Sequence, residues 1–191
     1  MTVVSGSPLN EQDIEKAIKA SPAPPSAIII ALASVRETNS PFSKPTSPPR
    51  MMTEAHEKAL EAMKKFGIKR LITISAFGVG DSNPEVFWPT RMVLNHSGIG
   101  FAYADHNAVE VLVRKTAEEW EDEGGHGKLE WTLVRPVMLN DKEAKDVKVL
   151  GNNGKEAGML PSCSRGSVAA FVVGSCLEGR EFVGGTPVIC D

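Results

Sequence analysis

The segment from Leu71 to Ser82, LITISAFGVGDS, constrains the fold more than any other part of this chain. It reads as a buried β-strand that runs directly into a loop of small residues. A helix from Thr53 to Phe66 precedes it, with apolar residues at helical spacing, and Gly67 is placed to end that helix in the left-handed conformation. Helix, glycine and buried strand in this order form an α/β repeat, and chemistry in α/β proteins occurs at such strand ends.

The remaining elements alternate in the same way. Strands that alternate with helices imply a mostly parallel sheet with right-handed crossovers and helices on both faces. We therefore predict a single α/β domain, residues 1–191, with a Rossmann-like layout. Its further predicted strands are Thr2 to Ser5, Ala27 to Ala33, Leu129 to Val134 and Pro187 to Cys190, and its further helices follow Asn10 and span Asp105 to Glu121 and Ser167 to Leu177.

Composition narrows the range of partners. The chain has 21 basic and 24 acidic residues, a net charge of −3, and neither sign gathers into a patch that could follow a nucleic-acid backbone. No apolar run is long enough for a membrane span, and the N-terminus does not resemble a signal peptide. The three cysteines are widely spaced, which predicts neither a disulfide framework nor a metal site. We expect a cytoplasmic protein that binds a small-molecule substrate, and neither nucleic acid nor membrane.

Several segments together carry a family resemblance: VVSGSPLN before the first helix, IIIALA, the serine strand KKFGIKRLITISAFGVGDS, YADH and LEWTLVRPVML. In order and spacing they resemble atypical short-chain dehydrogenase/reductases, the NAD(P)-binding group that includes NmrA-like proteins and the flavin/biliverdin reductase branch. The resemblance covers most of the chain. It implies an NAD(P)-binding Rossmann domain, an oxidoreductase activity, and NADP or NAD as cofactor.

The glycine-rich turn that opens such a fold is missing from this sequence. Gly78-Val79-Gly80 is the only G-x-G, and it does not open a helix, so we do not expect it to hold phosphate. The first βαβ unit of the family is therefore expected to be missing, which predicts an N-terminally truncated fold with a gap in the middle of the sheet. Pairing of Thr2 to Ser5 with Ala27 to Ala33, a second subunit or a further piece of chain could fill the gap. The same expectation implies weak or absent dinucleotide binding, and self-association as a homo-oligomer or an aggregate.

Three residues are the predicted catalytic candidates. The resemblance implies that Ser75 hydrogen-bonds substrate or nicotinamide, since a hydroxyl at a strand's carboxyl end can polarise a carbonyl. Tyr103 occupies the position of the family's general acid, but Asn107 stands where a lysine would lower the pKa of the phenol. His106 and Glu110 are four residues apart on one helix face, so the imidazole could shuttle a proton or could simply be tethered there.

The resemblance also implies cofactor contacts at three strand ends. These are Ala31 and Leu32 at the end of the strand Ala27 to Ala33, Ala76 and Phe77 after Ser75, and Arg135, Pro136 and Val137 after the LEWTLV strand. Pro136 is expected to end that strand. The flavin/biliverdin reductase branch has a histidine in this last loop, and the nearest position here is Val137, so the substrate of that branch does not carry over. Asp105 is expected to cap its own helix.

Three classes of function remain open from the sequence. The first is an NAD(P)-dependent reductase of a small carbonyl or polycyclic compound, such as a secondary metabolite. The second is a cofactor-free isomerase, cyclase or dehydratase that uses the same crevice. The third is a non-catalytic binding or regulatory protein of the NmrA-like type.

Overall fold

A mostly parallel sheet forms the centre of the molecule. A computed structural model describes residues 2–38, 40–120 and 127–191. The strand order is β1-β2-β3-β7-β5, in which the first four strands run parallel and β5 pairs antiparallel with β7. The strands are β1 (Ala27–Ile30), β2 (Arg70–Ile74), β3 (Glu130–Pro136), β5 (Lys148–Val149) and β7 (Val188–Cys190), while β4 (Met138–Asn140) and β6 (Ser162–Ser164) form a separate parallel pair.

Helices cover both faces of this sheet. They are α1 (Glu11–Lys19), α2 (Met51–Phe66), α3 (Trp88–His96), α4 (Ile99–Glu118) and α5 (Arg165–Phe171), the last continuing as a π-helix over Val172–Glu178. Alternate residues of β2 point to opposite faces: Leu71 joins the core formed with α1, α2 and α4, and Ile72 joins the core formed with α5. The predicted α/β, Rossmann-like class is confirmed.

Two predicted boundaries are corrected. Helix α4 begins at Ile99 and not at Asp105, and its predicted end at Glu121 lies outside the described residues. Strand β3 continues through Pro136 instead of ending before it. The proline is tolerated because the flanking residues make the bonds to β7: the Arg135 N–H donates to the Pro187 carbonyl, and the Val137 N–H donates to the Ile189 carbonyl.

The predicted first strand and the predicted gap are both wrong. Thr2 to Ser5 forms no strand, and Val3 is 82% exposed, because this short β-branched run has no partner strand and leads at once into Gly6. The sheet has no gap either. β1 pairs directly with β2 and lies at the sheet's edge, so the described strands are contiguous.

Asp105 caps a helix other than its own. Helix α2 has no side-chain cap at Arg50, the residue that precedes it. Instead, the buried Asp105 carboxylate accepts hydrogen bonds from the Met52 N–H at 2.9 Å, from the Thr53 N–H at 3.0 Å and from the Thr53 hydroxyl. A carboxylate is favoured there because the first N–H groups of a helix lack partners and carry partial positive charge. The expectation that Asp105 caps α4 is therefore corrected.

Among the described residues, no helix combines the length and apolar character needed to cross a membrane.

We predict that Asp105→Ala lowers the free energy of unfolding by about 2 to 4 kcal/mol, because it leaves buried donors of α2 unpaired. Asp105→Asn retains one acceptor oxygen and should cost less. The matched control is Asp141→Ala, which removes a carboxylate from an exposed ion pair with Arg165 and should change stability little. Urea unfolding followed by circular dichroism measures all three, and equal effects of Asp105→Ala and Asp141→Ala would contradict the capping role.

Candidate active site

A largely apolar cavity of about 370 Å³ lies at the carboxyl ends of β2 and β3. Loops that follow parallel strands meet at this edge of a sheet, which is where α/β folds bind ligands. The loops after β2 and β3 form the base of the cavity, and α3, the start of α4, β4 and the loop before β6 form its walls. Its lining residues are Ser75, Ala76, Phe77, Val86, Phe87, Thr90, Val93, Leu94, Ile99, Tyr103, Pro136, Val137, Met138, Leu139, Gly158, Met159, Leu160 and Pro161.

The mouth of this cavity exposes apolar side chains. Met138, Met159 and Leu160 are 64%, 65% and 71% exposed, and Val93 and Leu139 are also exposed. Contiguous exposed apolar surface around a concave site is typical of a ligand-binding groove. The walls therefore favour an apolar ligand.

Ser75 lies at the inner end of the cavity and is almost fully buried. Its hydroxyl donates a hydrogen bond to Oε1 of Glu110 at 2.9 Å. A hydroxyl has only one proton, so in this arrangement Ser75 can accept a hydrogen bond from a ligand but cannot donate one.

Glu110 is paired with Arg135, whose side chain is completely buried. Nε and Nη2 of Arg135 donate to the two carboxylate oxygens of Glu110 at 3.0 and 2.6 Å. Nη1 donates to Asp81 at 2.5 Å and to the backbone carbonyl of Asn152 at 2.8 Å. Burial alone would lower the pKa of Arg135, but its hydrogen bonds to Glu110 and Asp81 and their charges outweigh this and raise it. The pair fixes α4 and the loop after β2 to the end of β3.

The Gly78-Val79-Gly80 segment hydrogen-bonds within the protein and does not form a phosphate-binding loop. The Gly78 N–H donates to the Ser82 hydroxyl, and the Gly80 N–H donates to the Asn107 side chain, so neither amide is free for an anion. Gly80 has a φ of +57°, and a Cβ there would lie 2.7 Å from Nη2 of Arg135. Only glycine allows the loop to approach the ion pair so closely. Asn107, in place of the family's lysine, holds the loop to α4.

Tyr103 lines the same cavity as Ser75. Its hydroxyl donates to the backbone carbonyl of Phe77 at 3.0 Å. Burial raises the pKa of Tyr103 to about 12, so the phenol stays protonated at neutral pH. The structure thus brings two of the three predicted catalytic residues together.

His106 is not among the residues that line the cavity. Burial lowers the pKa of its imidazole to about 4; the nearby charge of His56 acts in the same direction, and the charges of Asp105 and Glu110 oppose it. Glu110, the partner predicted for it, is occupied by Ser75 and Arg135 instead. His106 is therefore a neutral, half-buried imidazole at neutral pH.

The predicted cofactor contacts fall into three groups. Ala76, Phe77, Pro136 and Val137 line the cavity. Arg135 lies beneath it, with its side chain engaged by Glu110 and Asp81. Ala31 and Leu32 instead line a separate groove of about 210 Å³ along the edge of β1, between α1 and α2.

Sequence reasoning missed two parts of the site. The Arg135–Glu110 pair was not anticipated, although a charged residue at the end of an apolar strand is a signal that a buried partner exists. Thr90, which contributes the third hydroxyl of the cavity, lies in the segment DSNPEVFWPTRM, and no pattern there marks it.

Comparison with known families shows which family this chain belongs to. The family model described as NAD(P)H-binding matches residues 1–178. The chain belongs to this NAD(P)H-binding family. No curated protein matches it by sequence. Phe77 and Val137 form an apolar surface in the cavity that fits the nicotinamide end of such a cofactor.

Solved structures show the same fold at low sequence identity. ChuY, an anaerobillin reductase from Escherichia coli O157:H7, is 17% identical with a TM-score of 0.68, and the match covers 98% of this chain and 74% of the ChuY chain. A short-chain dehydrogenase/reductase from Veillonella parvula in complex with NADP is 17% identical with a TM-score of 0.64, covering 100% and 72%. A putative NAD-dependent epimerase/dehydratase from Bacillus halodurans is 18% identical with a TM-score of 0.60, covering 88% and 65%.

The lowered pKa of the half-buried His106 imidazole predicts a pH dependence of stability. The pKa of His106 is about 4 in the folded protein against an ordinary 6.5, so between these values the unfolded chain binds a proton that the folded chain does not. Stability should therefore fall as the pH decreases through this window. His106→Asn should reduce the loss by on the order of 2 to 3 kcal/mol.

Urea unfolding at a series of pH values measures the effect. The control is His96→Asn on the exposed side of α3, which should leave the wild-type slope unchanged. An unchanged slope in His106→Asn as well would contradict the neutral state of His106 in the folded protein.

Proposed function

We propose that this chain is an NAD(P)H-dependent reductase of a small carbonyl or polycyclic compound. The observation that carries the proposal is the apolar cavity at the carboxyl ends of β2 and β3, with exposed methionines at its mouth. Membership of the NAD(P)H-binding family supports the cofactor class. The likeness to ChuY, an anaerobillin reductase, is consistent with a reductase activity.

In its reduced form, NADP or NAD would supply the hydride when bound. Ala76, Phe77, Pro136 and Val137 would form the apolar surface against which its nicotinamide end lies. Ser75 and Tyr103 would contact the ligand through their hydroxyl oxygens. The Arg135–Glu110 pair orients Ser75 from below, so both members are positioning residues. Since no free backbone nest is found among the described glycines of this loop, we expect weak dinucleotide binding, with dissociation constants of about 10 μM or higher.

Turnover of a panel of polycyclic ketones and quinones, measured as consumption of saturating NADPH, tests the proposal. Met159→Glu adds a charge at the apolar mouth and should raise KM by about tenfold or more, because an apolar substrate would then contact a carboxylate. Val173→Glu is the matched control, since Val173 is an exposed apolar residue outside the cavity lining.

Other outcomes identify the alternatives. Conversion of a panel compound without nicotinamide would indicate a cofactor-free isomerase, cyclase or dehydratase. Saturable binding without turnover would indicate a binding or regulatory protein. Equal effects of Met159→Glu and Val173→Glu would show that the substrate does not use this cavity.

We also propose that the chain associates with itself through β1. Within the described residues β1 pairs only with β2, and Ile29 in this strand is 43% exposed. The stretch Ala27 to Ser34 has no charge, proline or glycine that would discourage pairing of a free edge. Light scattering should show mass that increases with concentration, and Ile29→Lys should reduce it. A wild-type monomer at all concentrations would contradict the proposal.

A further inference from the structure

Three side-chain hydroxyls line the cavity, and two of them already donate a hydrogen bond to another group of the protein. Ser75 donates to the Glu110 carboxylate, and Tyr103 donates to the Phe77 carbonyl. The Phe77 carbonyl has no proton to donate. The Glu110 carboxylate has none either, because it is the anionic partner of Arg135. The direction of both hydrogen bonds is therefore fixed, and each hydroxyl can only accept from a ligand.

Thr90 is the third hydroxyl. It lies in the first turn of α3, half-buried, on the cavity wall formed by that helix. Within the part of the chain that the structure describes, its hydroxyl makes no hydrogen bond. A threonine hydroxyl without a partner can rotate to place its proton on an acceptor.

We propose that Thr90 is the residue of this cavity that donates a hydrogen bond to the ligand, while Ser75 and Tyr103 accept. The inference rests on the proposed function and makes its substrate class more specific. The ligand is an apolar molecule with a carbonyl-type acceptor toward α3 and an N–H or O–H donor toward the end of β2 and the start of α4. A carbonyl directed at Ser75 would meet only lone pairs and would be disfavoured.

Two bicyclic probes of similar size separate the two roles. Indole has an N–H donor and no acceptor lone pair, and indanone has a carbonyl acceptor and no donor. Dissociation constants for both are measured by ligand-observed NMR with the full chain. Thr90→Val keeps the volume and removes the hydroxyl, so it should weaken indanone binding about fivefold to tenfold and leave indole within twofold. Thr90→Ser should restore indanone binding.

The opposite pattern is expected for the accepting hydroxyls. Ser75→Ala and Tyr103→Phe should weaken indole binding and leave indanone nearly unchanged. A merely structural role of Thr90 would change both probes equally, so an unchanged ratio of the two dissociation constants in Thr90→Val overturns the inference while the proposed function stands.

Met159→Glu tests whether the two probes bind in this cavity. It should weaken both probes, with Val173→Glu as its control. If Met159→Glu has no effect, or if neither probe binds the wild-type chain, the cavity is not the ligand site, and the proposed function fails together with the inference.

Discussion

The buried ion pair between Arg135 and Glu110 is the interaction on which the site depends. An isolated charge inside a protein costs several kcal/mol, so a fully buried guanidinium at the end of a strand requires partners for its protons. Arg135 takes its partners from three separate segments, namely helix α4, the loop after β2 and the turn at Asn152. These segments can satisfy the charge only in one relative arrangement. The ion pair therefore specifies the geometry at the carboxyl edge of the sheet, whatever its net contribution to stability.

The properties of nearby residues follow from this pair. Because Glu110 is held by Arg135, its carboxylate is in place to accept the hydrogen bond from Ser75, and it is not available to pair with His106. The loop after β2 must pass close to the guanidinium, which requires glycine at position 80. The amide of Gly80 then finds its acceptor on Asn107. A lysine at that position would leave the amide unpaired, so the departure from the family's Tyr-x-x-x-Lys pair is consistent with the local structure.

Elements with a clear apolar period could be predicted from the sequence, and contacts between distant segments could not. The pattern around Leu71 correctly indicated a buried strand and hence the α/β class. The start of α4 was missed because Gly98 provides no side-chain cap and the first turns are only partly buried. The gap in the sheet was wrongly predicted because it required Thr2 to Ser5 to form a strand on its far side, and that segment forms none. In the site, the family resemblance points to Ser75 and Tyr103, which do share a cavity, whereas the Arg135–Glu110 pair joins residues whose proximity no local spacing encodes.

The base and the walls of the cavity differ in how firmly the rest of the fold holds them. Its base belongs to the sheet and the ion pair, but its walls come from elements outside the main sheet: α3, which has no fully buried residue, and the short β4–β6 pair with the loop before it. Few of these wall side chains take part in the core, so substitutions among them should cost little stability. Flexible methionines such as Met138 and Met159 can also adapt to ligands of different shape. Ligand preference can therefore change through residues such as Thr90 and Met159 while the base keeps Ser75 in one orientation, which separates the choice of ligand from the positioning of the reacting groups.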